Sequence, residues 1–141
     1  MSQNPECVFC KIAAGVIPAA IVHQDATAVA FLDIHPLAPG HLLIVPRDHI
    51  TSMSDLPAET SAALARLFPR LGEAARVAGG AEGYNILLNN GTVAGQFVEH
   101  LHFHVIPRRG DDGLGFRWVS GSYAEGEAER IRAAVTAALK R

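Results

Sequence analysis

The segment His100-Leu101-His102-Phe103-His104-Val105-Ile106 alternates imidazoles with large apolar side chains. A β-strand turns successive side chains to opposite faces. All three imidazoles would therefore stand on one side of a sheet while Leu101, Phe103 and Val105 enter the core on the other. At roughly 3.3 Å of rise per residue, neighbouring histidines sit about 6 to 7 Å apart, within reach of one ligand. Imidazole is partly uncharged near neutral pH, so it can attack phosphorus and form a labile phosphoramidate. The same row also suits a solvated strand face, or a His-x-His pair sharing one metal ion. His100 and His104 are too far apart on a straight strand for all three to bind one ion comfortably. No carboxylate cluster stands nearby for a magnesium or two-metal site, so the chemistry itself is expected to need no metal.

The neighbouring residues favour the nucleophile. Asn89-Asn90-Gly91-Thr92-Val93-Ala94-Gly95-Gln96 is a glycine-bearing loop within ten residues of the histidines. Without a Cβ, its backbone N–H groups can approach a phosphate and stabilise the charge that builds up during nucleotidyl transfer. Near the start of the chain, Cys7-Val8-Phe9-Cys10 has Cys-x-x-Cys spacing. This is half of a metal or redox site, or simply two small buried residues. A redox role is disfavoured, because no strand of thioredoxin type accompanies the pair.

The chain of 141 residues is expected to be one domain, residues 1–141, with about half its residues hydrophobic and a formal charge of −2. No basic block points to a nucleic acid partner. Residues 1–6 are polar and no apolar run reaches the roughly 20 residues of a membrane span, so a cytoplasmic location is expected.

The elements that must hold the histidines follow from pattern. Ile21 to Gln24 and Thr27 to Asp33 read as a β-hairpin about Asp25-Ala26, and His41 to Pro46 as a third strand. Pro36, Pro39 and Gly40 make the intervening segment a loop. From Pro57 to Ala78 the spacing of Leu64, Leu67, Phe68 and Leu71 predicts the main helix, with a kink or break at Pro69 and a stop at Gly79-Gly80. Tyr84 to Asn89 and Val98 to Pro107 read as two further strands. Ala124 to Lys140 reads as a C-terminal helix carrying Ile131, Val135 and Leu139. The expected fold is α+β: an antiparallel five-stranded sheet with a main helix and a C-terminal helix.

With these residues in place, the chain resembles the histidine-triad family of nucleotide hydrolases and transferases, most closely its bacterial nucleoside phosphoramidase-like branch. The resemblance rests on the triad followed by Val105-Ile106, on Phe31-Leu32-Asp33-Ile34, on residues 39–46 and on Gly95-Gln96, and it spans about residues 6 to 120. It implies that His102 attacks the α-phosphorus of a purine nucleotide, that His104 donates to a phosphate oxygen or the leaving group, and that His41 completes the polar network. It further implies that Asp33 accepts the ribose hydroxyls and that Phe9, Ile12, Phe31 and Ile34 line the base pocket. Asn89, Gly95 and Gln96 would hold ribose and phosphate, with Gln96 also counted in the catalytic group. The substrates implied are phosphoramidates or adenylylated amines, with dinucleoside polyphosphates as a close alternative and a nucleotide-binding or signalling module as one of another class. By the same resemblance Cys7, Cys10, His49 and His100 would hold a structural zinc ion, and two copies would pair as a homodimer. The segment from Trp118 to Arg141 would shape the partner's site or the leaving-group pocket. One residue departs from the family pattern. Relatives often carry a hydroxyl side chain after the Gly-Gln pair, where this chain has Phe97, whose ring cannot donate a hydrogen bond.

Overall fold

The computed structural model describes residues 2–115 and 118–141. Strands β1 (Ile21–Gln24), β2 (Ala28–Leu32), β3 (Leu42–Pro46), β4 (Gly83–Leu88) and β5 (Phe103–Arg108) form one antiparallel sheet in the order β1-β2-β3-β5-β4. Helices α1 (Val8–Ala13), α2 (Ala58–Ala78) and α3 (Glu127–Leu139) complete an α+β fold, as the pattern predicts. No described helix is long and apolar enough to cross a membrane.

The central strands β2 and β3 are apolar on both faces because both faces are covered. Ala28, Ala30, Leu42 and Ile44 turn toward α2, where they meet Leu64, Ala75, Leu101, Phe103 and Val105. Val29, Phe31, Leu43 and Val45 turn the other way and meet Phe9, Ile12 and Ala13 of α1. The hairpin between β1 and β2 is closed by Asp25, whose Oδ1 accepts the N–H groups of Thr27 and Ala28, each at 2.8 Å. Main helix and sheet approach so closely at Gly72 that a Cβ there would collide with the Tyr84 ring.

Three expectations are corrected. First, of the kink or break expected at Pro69 the break is absent, since α2 runs unbroken past it. Pro69 and Ala65, the residue whose carbonyl loses its helical donor, are both exposed, so water replaces the missing hydrogen bond. Second, α1 was not anticipated. Six residues are too few for a periodic signal, and the helix is held by the burial of Phe9, Cys10, Ile12 and Ala13 and by the Cys7 side chain at its N-cap. Third, β5 begins at Phe103 rather than near Val98. The preceding stretch is tied to the chain after β3: Leu101 N–H donates to Ile50 O at 2.7 Å and the Thr51 hydroxyl to Glu99 O at 3.3 Å.

The registry lays one row of side chains across the sheet on the face covered by α1. Phe31 pairs with Leu43, Leu43 with His104, and His104 with Leu87. In the neighbouring row, on the side of Leu32 and Leu42 away from Phe31 and Leu43, the Asp33 N–H donates to His41 O at 3.0 Å. Nucleotide-binding candidates from three strands are thus brought onto one surface. In contrast, α3 is exposed along nearly its whole length, and Ile131, Val135 and Leu139 are uncovered.

Candidate active site

Alternation survives the late start of β5. Leu101, Phe103 and Val105 enter the core under α2, and His100 and His102 both pack edge-on against Phe9 of α1, at 5.8 and 5.2 Å between ring centroids. The His102 and His104 rings follow at 4.9 Å.

Backbone groups assign the proton on each ring. A carbonyl oxygen can only accept, so the 2.8 Å contact of His102 Nδ1 with His100 O puts the proton on Nδ1 and leaves a lone pair on Nε2. At His41 the partner is a donor. Leu37 N–H donates to His41 Nδ1 at 3.0 Å, so the proton of neutral His41 sits on Nε2. From there it is given to His104 Nδ1 at 3.0 Å, which leaves the His104 proton on Nε2. Two adjacent rings therefore present opposite functions: a lone pair on His102 and a donor on His104.

Electrostatics keep His41 and His104 uncharged at neutral pH. Burial pushes His104 down to about 4, assisted by the nearby His102 and His41 and opposed by Asp33. Burial also lowers His41, again with Asp33 opposing. Asp33 Oδ2 lies 3.6 Å from His41 Nε2, while its Oδ1 accepts the His35 N–H at 2.9 Å.

In front of this face lies a cavity of about 610 Å³. Among the residues singled out from sequence, the apolar Phe9, Ile12, Phe31 and Ile34 line it, together with Asp33, His41, Asn89, Gly95, His102 and His104. Leu37, Leu43 and Val98 also line it and were missed, because each reads as ordinary loop or core on sequence alone. Phe97 reaches the cavity too and is 90% exposed.

Gln96 does not line the cavity with its neighbours. Its Oε1 accepts Gly91 N–H at 2.8 Å, and its Nε2 donates to Thr51 O and Val98 O at 2.9 and 3.2 Å. The backbone N–H groups of Gly95 and Gln96 donate to Thr92 O and Gly91 O within the loop, so they are committed to the loop's own shape rather than open to a phosphate. Gly95 is required by its φ of +103°, and a Cβ there would stand 3.3 Å from the Asn89 amide.

Among the described residues, two groups of side chains have the spacing of metal ligands, each with its ligand atoms within 4.8 Å of one another: Cys7, Cys10, His49 and His100, and Asp33, His41 and His104. The first fits a tetrahedral ion. His100 Nε2–H donates to Pro46 O at 2.8 Å, so its Nδ1 lone pair faces Cys7 Sγ at 3.3 Å and Cys10 Sγ at 3.5 Å. His49 Nδ1 lies 3.4 Å from Cys10 Sγ. Metal bonds of about 2.3 Å to sulfur and 2.0 Å to nitrogen at tetrahedral angles separate S and N by about 3.5 Å. The Asn4 and Cys10 N–H groups donate to the Cys10 and Cys7 sulfurs, each at 3.4 Å, which favours thiolates. Without a cation, burial pushes the Cys10 thiol up. The second group does not fit. A metal on His41 Nε2 would move its proton to Nδ1, directly against the Leu37 N–H.

Comparison with known proteins agrees with this geometry. A family model described as HIT domain matches residues 14–111. The adenosine 5'-monophosphoramidase hnt1 of Schizosaccharomyces pombe is 38% identical over 135 residues, covering 95% of this chain and 98% of its own. A HIT family member from Bacillus subtilis superposes with a TM-score of 0.87 at 37% identity, over 93% of this chain and 95% of that one. A zinc-bound histidine triad family protein from Mycobacterium smegmatis is 40% identical with a TM-score of 0.73, over 96% of each chain.

Proposed function

The chain belongs to the histidine-triad, or HIT, family, and from that premise we propose that it hydrolyses nucleoside phosphoramidates or adenylylated amines at the α-phosphate. The observation that carries this reading is the 2.8 Å hydrogen bond from His102 Nδ1 to His100 O, which leaves Nε2 unprotonated at a cavity wide enough for a nucleotide. The base packs among Phe9, Ile12, Phe31 and Ile34, and Asp33 accepts the ribose hydroxyls. His102 Nε2 bonds to phosphorus as the P–N bond to the amine breaks, while the His104 Nε2–H stabilises charge on a phosphate oxygen. Water then cleaves the nucleotidyl-His102 bond. Its hydroxyl goes to phosphorus and its proton returns to solvent, balancing the proton that the amine took up as it left, so that AMP or another nucleoside monophosphate is released and the ring is restored. Asn89 helps to hold the nucleotide, and Gln96 positions the loop.

Cleavage of dinucleoside polyphosphates would use the same nucleophile, but it is less favoured because, among the described residues, the cavity lining contains neither Lys nor Arg to balance further phosphates. We assign the Cys7, Cys10, His49 and His100 cluster to a structural zinc ion, in line with the zinc-bound relative. When bound, zinc would fix His100, whose carbonyl orients His102, and would tie the N-terminal segment to residues 97–102. Pairing of two copies is supported by the open edge of β4, where Ile86 is exposed, and by the uncovered apolar face of α3. The test is hydrolysis of adenosine 5'-phosphoramidate and of diadenosine tetraphosphate by the protein and by His102→Ala. A fall of at least 10³-fold on the phosphoramidate is expected, since removing a nucleophile forfeits the covalent route. Equal rates for the two proteins would leave a nucleotide-binding module in place of an enzyme.

A further inference from the structure

Among the described residues four imidazoles line the nucleotide cavity, and three of them have a part in the proposed reaction. The fourth, His35, stands two residues beyond Asp33 in the loop from β2 to β3. Its place is fixed by the chain on both sides. Asp33 Oδ1 accepts the His35 N–H at 2.9 Å, which closes a turn and ties the two residues together. Pro36 follows, and a proline restricts the residue before it to extended backbone. His35 thus borders the cavity from a short, anchored segment, and it is exposed where His41 and His102 are buried. Among the described residues its ring makes no hydrogen bond, whereas the other three rings are each engaged.

The chemistry of a ribose says what that ring is for. A hydroxyl carries one hydrogen and two lone pairs, and a carboxylate can only accept. Asp33 therefore satisfies the hydroxyl hydrogens and leaves the oxygens in need of a donor once water is displaced. Among the described lining residues, side-chain N–H groups belong to Asn89 and the four histidines. His102 gives its Nδ1–H to His100 O, His41 gives its Nε2–H to His104, and the His104 Nε2–H is assigned to the phosphate. Asn89 follows β4, with β5 and β3 between that strand and β2, and its Nδ2 reaches Gly95 O at 3.4 Å. His35 is the side-chain donor left beside Asp33.

We infer that His35 is a specificity-determining residue: its ring N–H donates to a ribose hydroxyl oxygen whose hydrogen goes to Asp33, so that the site selects ribonucleotides over deoxynucleotides. A neutral imidazole keeps one N–H and a protonated one has two, so the contact is available in either charge state. The inference rests on the phosphoramidase reading above.

The experiment measures kcat and KM on adenosine 5'-phosphoramidate and on its 2',3'-dideoxy derivative. His35→Ala keeps the backbone N–H that bonds to Asp33 and removes the ring alone. On the ribonucleoside substrate KM should rise about fivefold, the equivalent of about 1 kcal/mol for one hydrogen bond, with kcat changed less than twofold because the contact is remote from phosphorus. On the dideoxy substrate, which has neither hydroxyl, the variant and the wild type should agree within about twofold. His35→Gln retains a side-chain N–H and should recover most of the loss. A loss of equal size on both substrates would make His35 a structural part of the loop, and no loss on either would leave its ring outside the site; each overturns the inference. If the wild-type protein cleaves neither substrate, the phosphoramidase reading fails, and calorimetry with AMP and 2',3'-dideoxy-AMP decides the contact separately. A loss in His35→Ala confined to AMP upholds it, while equal losses, no loss, or no binding of AMP to the wild type refutes it.

Discussion

The two ends of the segment from His100 to His104 are built from the same residue type and use it in opposite ways. At the cysteine end the His100 ring is fully buried, its Nε2–H is given to Pro46 O, and its Nδ1 lone pair faces two sulfurs. At the cavity end the His104 Nδ1 accepts from His41, and its Nε2–H is the group left for a ligand. Only the backbone partner differs in kind. A carbonyl behind the ring makes the far nitrogen a lone pair, and a relayed N–H makes it a donor. His102, between them, takes the carbonyl of His100 itself, so the lone pair at the cavity depends on how the buried end is held.

The largest test of that dependence is to loosen the buried end. Cys7→Ala removes one of four ligands and the N-cap acceptor of α1. Metal content of the tag-free variant should fall below half an equivalent, and the thermal midpoint should drop by about 10 °C, the equivalent of roughly 3 kcal/mol for a domain of this size. Activity on adenosine 5'-phosphoramidate should fall about tenfold or more, although residue 7 lies outside the cavity lining. Full metal content with unchanged activity would separate the two ends and refute the link.

The cavity end was the more legible from sequence. Side-chain alternation through Phe103 and Val105, the hairpin about Asp25 and the helical spacing of Leu64, Leu67, Phe68 and Leu71 are local patterns, and local patterns survive folding. The strand boundary at Phe103 was not legible, because it depends on Ile50 and Thr51, some fifty residues earlier, capturing the backbone near Leu101. The place of Gln96 was hidden for a related reason. A Gly-Gln pair beside a phosphate-binding loop looks like a ligand contact, but whether the amide faces outward or braces Thr51 is a tertiary fact. The zinc candidates came through a resemblance, since Cys7 and Cys10 name only half a site and His49 has no distinguishing neighbour in sequence.

An intermediate effect is expected from the relay at the cavity end. His41→Leu removes both the acceptor for Leu37 N–H and the donor to His104 Nδ1, freeing His104 to change tautomer. We expect kcat to fall by about 10- to 100-fold with KM changed less than threefold, a part of the 10²- to 10⁴-fold that positioned proton donors contribute. His41→Gln can accept through its oxygen and donate through its nitrogen, so it should recover most of the loss. A His41→Gln variant as impaired as His41→Leu would show that ring packing at this position matters and the proton relay does not.

The smallest effect is in stability, and it distinguishes the cavity end by its charge state. His104 titrates at about 4 in the folded chain, against a value near 6.5 when unfolded. Between these limits the unfolded chain binds the extra proton, so stability rises with pH across the window. It is fully present above about 6.5 and is lost progressively as pH falls toward 4, at no more than about 1.4 kcal/mol per pH unit for one histidine. Metal release in acid also destabilises the chain, so the reading must be a difference between wild type and His104→Asn. Urea midpoints taken from pH 7 to pH 4.5 should fall more steeply in the wild type, because the variant has no ring to protonate there. Parallel curves would mean that the His104 ring is solvated enough to titrate normally. His104 would then be a cation in the mildly acidic range, still donating from Nε2 but no longer accepting from His41 at Nδ1.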